Sequence, residues 1–462
     1  MHTPIKLCPL VVITLITGSL YAHNQARADD FDDAFSEDLF DTIEPNEPLQ
    51  TTPSLINWQH EIGSRVIANI NSDEATPVEA RFSGVSGVQA YYNPELNINP
   101  TQWLDIKADV SLQADSIFIL RSNEDWSSQD QSAREFSYSI NQLTARVQHN
   151  LWQYSTGIQT LTLGLADAFS IANTLYAQDL SLPGLVDPKD ASIPTWTSWA
   201  SGSIGSTRVK LGVVHEHTAS KLGAPGTDFT TPLSALDVSA EPFAIENMSA
   251  FLSLSGVNGA LDWQLNANTQ LQHTPTVKMQ LVEGGLVPEY SLFARTQSVS
   301  AAASYVLGST LLKAETGITT NLKAQSVIEG LPADLVNYNQ FNAVVGLDYH
   351  PASMGRFMTE VQFGQVLNYD ALNLMAENKT NVAWLMLYSK SWLRDTLTLQ
   401  AQTMGFGFDS DSGRIQGLAL EYHHNDTLSS TLRFIDYVAG DFPLLIGADD
   451  RDRLVFEVTY QF

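Results

Sequence analysis

The stretch Leu104–Asp115, "LDIKADVSLQAD", alternates without a miss. Leu104, Ile106, Ala108, Val110, Leu112 and Ala114 stand against Asp105, Lys107, Asp109, Ser111, Gln113 and Asp115. A period of two puts each set on one face of a β-strand. The pattern returns in "LDWQLNANTQLQ" (261–272), where Leu261, Trp263, Leu265, Ala267 and Leu271 oppose Asp262, Gln264, Asn266 and Asn268. It returns again in "LLKAETGI" (311–318) and "FNAVVGLDYH" (341–350). Beyond residue 28 no long apolar pattern of period 3.6 is sustained, so the chain reads as all-β.

These strands run to about ten residues, past the usual five or six. In a soluble sandwich the apolar face would be core. The connections favour another answer, because long and short ones alternate. Long polar segments lie near 165–191, 217–245, 273–295, 322–338, 370–380 and 439–450. Between them sit tight links: "SGSIGS" (201–206), "GVNG" (256–259), "LGST" (307–310), "HPASMG" (350–355) and "HHND" (423–426). Short turns at one rim and long loops at the other are the pattern of a transmembrane antiparallel β-barrel of the outer-membrane kind. A sandwich has no reason to sort its loops by parity. The parity predicts about 18 strands, with 16 as the smaller alternative, over residues 56–462. Closure would satisfy every backbone group in lipid. Trp103, Trp152, Trp196, Trp199, Trp384, Tyr388, Trp392 and Tyr422 fall towards strand ends, as an aromatic girdle requires.

The chain opens with Lys6, an apolar run over residues 7–21, and an A-x-A site at Ala26–Ala28. This reads as a secretory signal peptide spanning 1–28. The single cysteine, Cys8, lies inside it, so a disulfide scaffold is excluded. Taking away Lys6 and Arg27 moves the formal charge from −27 to −29. Such acidity argues against a nucleic-acid partner. Residues 29–55 form an acidic leader in which nine acids (Asp29, Asp30, Asp32, Asp33, Glu37, Asp38, Asp41, Glu44 and Glu47) occur with no base. Phe31, Phe35 and Phe40 punctuate it. It reads as a disordered leader, a periplasmic docking peptide around 29–48, or a helix that plugs the lumen.

The segment "LADAFSIANTLYAQDLSLPGLVDPKDASIP" (165–194) is unusually apolar for an exposed loop, with Phe169, Ile171, Leu175, Leu180, Leu182, Leu185 and Val186. It must pack somewhere, either inside the barrel to narrow the pore or on the rim. Its charged residues Asp167, Asp179, Asp187, Lys189 and Asp190 are candidate constriction residues. Inward positions on the predicted strands add Asp105, Lys107, Asp109, Arg146, Arg208 and Lys210 as pore-lining candidates. Lys313, Glu315, Asp348, Glu360 and Arg433 share that face. Acids and bases nearly balance there, which suits small polar solutes or an amphiphile better than a polyanion.

No catalytic, metal or cofactor signature accompanies this pattern. His215–His217, "HEH", lacks the i,i+4 spacing of a zinc protease, and no G-x-S-x-G elbow occurs. The sequence therefore reads as a non-enzyme that needs no cofactor. A transport barrel and a structural or adhesion barrel with ligand-binding loops are the two readings in play; an outer-membrane hydrolase is the weaker third.

The region Ser155–Pro194 resembles a family of proteobacterial outer-membrane barrels distantly similar to the alginate-export barrel. The resemblance rests on a Gly-containing strand, on Asp179-Leu180, and on the run Pro183-Gly184-Leu185, Asp187, Asp190, Ile193-Pro194. The leader "DDFDDAFSEDLF" (29–40) is also similar. Where the family has Trp before its glycine, this chain has Leu163 before Gly164. The resemblance implies a channel that works beside an inner-membrane lipid exporter of the resistance-nodulation type, and it singles out Asp167, Asp179, Asp187 and Asp190.

The last strand, "LVFEVTYQF" (454–462), puts Leu454, Phe456, Val458, Tyr460 and Phe462 on one face. In a barrel these face lipid. Phe456, Val458, Tyr460 and Phe462 also form a candidate signal for the barrel-assembly machinery. The expected setting is the Gram-negative outer membrane, against its lipids and lipopolysaccharide, with both chain ends periplasmic.

Overall fold

A computed structural model describes residues 55–71, 81–184, 191–231, 234, 236, 240–283, 285–375 and 378–462. The signal segment 1–28 and nearly all of the leader lie outside the described residues. Twenty strands follow one another along the chain. The first nine are β1 (Ile56–Asn71), β2 (Gly84–Thr101), β3 (Leu104–Asp115), β4 (Phe136–His149), β5 (Trp152–Gln159), β6 (Thr195–Ile204), β7 (Thr207–Val214), β8 (Ser249–Asn258) and β9 (Leu261–Leu271). A small hairpin, β10 (Thr276–Val282) and β11 (Gly285–Leu292), interrupts them. Then come β12 (Arg295–Leu307), β13 (Thr310–Ile328), β14 (Leu331–Tyr349), β15 (Arg356–Val366) and β16 (Thr380–Trp392). The last four are β17 (Leu397–Phe406), β18 (Arg414–His423), β19 (Leu428–Val438) and β20 (Asp452–Gln461).

Eighteen of these form one antiparallel sheet, in which β1 pairs with β2 on one side and with β20 on the other. The sheet is therefore a closed barrel with no free edge. The alternation that identified the strands also fixes their register, because a slip of one residue would turn every polar side chain outwards. On β20, Leu454, Phe456, Tyr460 and Phe462 are exposed on the outer face, while Val455 is 2% exposed on the inner one. Phe462 exchanges backbone hydrogen bonds with His60 at 2.9 Å in both directions, and its ring stacks on His60 at 5.1 Å. This pair closes the barrel at the short-turn rim.

Aromatic side chains also fold across neighbouring strands. Trp384 on β16 sits directly opposite Gly405 on β17, where a Cβ would lie 2.4 Å from the indole. Tyr91 on β2 covers Gly63 on β1 in the same way, inside the barrel. Trp103, Trp196 and Trp392 are exposed on the outside. Trp199 is not part of any girdle: parity turns it inwards, and it is 6% exposed.

Two of the long segments differ from a simple loop. Residues 322–338 extend β13 and β14 to a tight turn at Glu329–Gly330 instead of forming a loop, since both residues adopt positive φ there. Residues 273–295 contain the β10–β11 hairpin. The inner face is also less uniformly polar than a mixed lumen implies. Val344, Met358, Leu385, Leu387, Met404, Phe406, Ile415, Ile435, Tyr437 and Val455 make an apolar half-wall over β14–β20. Loops cover it: Phe169, Leu180 and Leu182 from 160–194, Phe229 from 215–248, and Phe442, Leu444 and Leu445 from 439–451. Phe406 and Phe442 stack at 4.1 Å. The barrel thus encloses a hydrophobic core against β14–β20, and a second, smaller one where Leu163, Leu175 and Tyr176 pack on Trp199, Val214 and Phe251 of β6–β8.

Candidate functional site

The described part of the loop after β5, residues 160–184 and 191–194, turns into the barrel. Leu163, Ala168, Phe169 and Leu175 are each at most 2% exposed. The turn begins at Gly164, whose φ of +94° and crowded surroundings admit no side chain; a Cβ would fall 2.2 Å from Ser170 Oγ and 2.5 Å from Glu315 Oε1. From there the backbone amides point outward in succession, which makes an anion-binding concavity. The barrel wall itself supplies the anions.

Glu315 on β13 accepts from the N–H groups of Leu165, Ala166 (2.6 Å) and Ile171 (2.8 Å), and from Ser170 Oγ at 3.2 Å. Glu360 on β15 accepts from the N–H groups of Asp167 (2.7 Å), Ala168 (2.8 Å) and Phe169 (3.1 Å). Both carboxylates are buried, at 3% and 1% exposure. Asp167 pairs with Lys313 of β13, and Gln264 of β9 accepts from the Gly164 N–H at 3.0 Å. Six backbone amides are therefore held by two acids that face inwards from β13 and β15. Hydrogen bonds to ionised acceptors are the stronger kind, so this turn is clasped rather than merely packed.

Further along the loop, Tyr437 on β19 donates to the Pro183 carbonyl. Tyr176 hydrogen-bonds Thr197 at 3.2 Å, and burial raises its phenol above the ordinary value. The neighbouring loop 215–248 is pinned where Arg453 on β20 pairs with Asp228.

Between the clasped turn and the short-turn rim lies a cavity of about 1040 Å³. Thr162–Asp167 bound one end, and the turns at His350–Ser353, Arg394–Thr396 and His424–Leu428 bound the other. Lys210, Lys313, Arg356, Lys390 and Arg394 face Asp167, Asp262, Asp348, Asp395, Glu421 and Asp426 across it. Arg356 grips Asp348 through Nε at 2.9 and 3.1 Å. Positive and negative groups are nearly matched, so the vestibule is polar without a strong sign.

The sequence candidates separate by where the structure places them. Asp167 and Lys210 border the cavity. Asp105, Lys107, Asp109, Arg146 and Arg208 face the interior but do not line it. Asp105 stands opposite Arg146 in the β3–β4 register, and Asp109 accepts from Asn141 at 3.1 Å. Arg146 and Lys210 both approach the Trp199 ring, at 5.8 and 5.1 Å. Asp179 binds Lys221 at 2.7 Å and so ties loop 160–194 to loop 215–248. Asp187, Lys189 and Asp190 lie outside the described residues. Phe456, Tyr460 and Phe462 are exposed on the outer face of β20, and Val458 shares that face. The clasp role of Glu315 and Glu360 had no sequence signal beyond their inward parity.

At the base of loops 215–248 and 272–294, His217 and His273 stack at 5.6 Å. His217 bonds the Gln272 carbonyl and His273 the Thr218 carbonyl. Burial lowers both imidazoles below the ordinary value, His273 to about 4. Residues His215–His217 send their side chains to separate partners, and no group of three metal-binding side chains occurs among the described residues.

The closed 18-stranded barrel is similar in fold to solved outer-membrane proteins. The chain is similar to Pseudomonas aeruginosa OccK8 (OprE), with a TM-score of 0.51 and 10% identity over 88% of this chain and 98% of that one. OpdK of the same organism gives 0.50 and 10%, over 88% and 98%. OpdK with vanillate also gives 0.50, at 9% identity over 88% and 98%. No family model matches the chain, and no curated protein matches it in sequence. At such identities the likeness is one of fold.

Proposed function

We propose that the chain is an outer-membrane channel that passes small polar or amphiphilic solutes. The observation that carries this reading is the loop 160–194 held inside a closed barrel by Glu315 and Glu360, with a 1040 Å³ vestibule beneath it. A purely structural barrel gains nothing from clasping a loop across its own lumen. The near-balance of charge in the vestibule favours solutes without a strong net charge. Exposed aliphatic and aromatic residues on the outer face, such as Ile62, Leu252, Val345 and Met386, suit a lipid environment. In this orientation the short-turn rim and both chain ends are periplasmic, so the vestibule opens towards the periplasm. We read the acidic segment 29–48 as a docking peptide for a periplasmic or inner-membrane transport partner, and a lipid exporter is the partner that the family resemblance suggests.

Conductance of the purified protein in planar bilayers tests the reading. Discrete openings are expected. A silent barrel, both full-length and without residues 29–48, would leave the structural reading, which the loop-covered apolar half-wall favours.

A further inference from the structure

On the other side of the clasped turn lies a second cavity, of about 70 Å³, between Phe169–Thr174 and the wall made by β9 and β12–β15. Carboxamides build this wall. The register sets Asn268, Ser298, Thr319 and Gln340 in one row across four strands, and Asn266, Ser300, Gly317 and Asn342 in the next. Gln340 is 0% exposed, and neither its amide nitrogen nor its oxygen has a partner among the described residues. The side-chain oxygens of Gln270, Gln272 and Asn342, all buried and lining the same space, lack partners among the described residues too. Opposite them stand Phe169 and Ile171. Apart from His273, no ionisable side chain lines the space.

Leaving one such group unsatisfied costs about 1–3 kcal/mol, and buried polar groups in native proteins are ordinarily bonded. Four such carboxamides on one wall (Gln270, Gln272, Gln340 and Asn342) offer bonds to water or to a solute that can take its place. A charged solute would shed its hydration here with no counter-charge in reach. A hydroxyl both donates and accepts, as a carboxamide does, and a carbon skeleton suits the apolar side. The cavity has room for about five waters, or roughly 150 Å³ of liquid. That matches a polyol of four to six carbons.

We propose that this amide wall is a selectivity subsite for a small uncharged polyol. The assignment rests on the channel reading and adds to it what the space beside the loop prefers. Proteoliposome swelling tests it, with erythritol, potassium threonate and potassium chloride as the probes. Two variants bear on the wall without changing charge. Gln340→Leu/Asn342→Leu removes two amides. Gly364→Ala places a Cβ 2.9 Å from Asn342 Oδ1 and 3.0 Å from Gln340 Nε2. Erythritol is expected to enter wild-type vesicles at least tenfold faster than threonate. In both variants its rate should fall at least fivefold relative to potassium chloride. Equal entry of erythritol and threonate, or an unchanged ratio in correctly folded variants, would overturn the subsite and leave the channel standing. Entry of none of the three solutes would overturn the channel reading and the subsite with it.

Discussion

Replacing Glu360 by Gln should release the turn at Asp167–Phe169 while leaving the barrel closed. In the wild type, three amides converge on the two oxygens of this carboxylate, at 2.7, 2.8 and 3.1 Å. A carboxamide offers one acceptor oxygen and turns a donor towards the remaining N–H. Bonds to a charged acceptor contribute about 1.5–3 kcal/mol, against about 0.5–1.5 for neutral pairs. The exchange therefore weakens the clasp by about 3 kcal/mol over three bonds, or about 150-fold in the closed-to-open ratio of the turn. The barrel ladder is untouched, because Glu360 keeps its backbone pairing with Gly346 and Leu385.

Hydrogen exchange followed by mass spectrometry reads this directly. Peptides covering 163–171 should exchange about 100-fold faster in Glu360→Gln, and faster still when Glu315→Gln is added. Peptides from β16–β18 should keep wild-type protection. Single-channel records should show new current fluctuations as the loop leaves the lumen. Unchanged exchange at 163–171 would refute the clasp. Faster exchange spread evenly over all strands would show that Glu360 supports the barrel rather than the loop.

Other outcomes follow from the same geometry. Deleting Phe462 removes two backbone bonds to His60 and a stacked ring, so the heat-modifiable, folded band should form more slowly; assembly at the wild-type rate would count against a role in closure. Gly405→Ala drives a Cβ into the Trp384 indole and should lower stability by about 1–3 kcal/mol, read as a fall in the denaturant midpoint. The His273 imidazole titrates at about 4 in the fold against its ordinary 6.5, so the unfolded form takes up the proton first. Stability of the loop base should be full above pH 6.5 and decline by up to about 3 kcal/mol as pH falls towards 4. Limited proteolysis within 215–248 should rise over that window in the wild type, less steeply in His273→Asn, where His217 alone is left to titrate.

The barrel was legible because its signal is local and repeated. Residues 104–115 and 261–271 announce a period of two, and the loops sort themselves by length, so the barrel class and a strand number of about 18, with 16 as the alternative, needed no long-range information. The clasp was not legible for the opposite reason. Glu315 and Glu360 occupy ordinary inward positions, and their partners are backbone amides that carry no side-chain signature. Their pairing spans between 144 and 193 residues of sequence.

The apolar half-wall lies between these cases, and its trace was present. Where the barrel faces lipid on one side and packed loop on the other, alternation should fail, since both faces are buried in apolar surroundings. It does fail at Val382-Ala383-Trp384-Leu385-Met386-Leu387-Tyr388 on β16, a continuous run in which Leu385 and Leu387 face the core and Trp384 and Met386 face outward. The apolar excess of loop 160–194 is the other half of the same signal. A lumen wall with greasy inward positions and a loop with greasy residues to spare each imply the other. Together they place the loop inside the barrel, where Phe169 and Leu180 pack on the β14–β20 side and Leu163, Leu175 and Tyr176 on β6–β8.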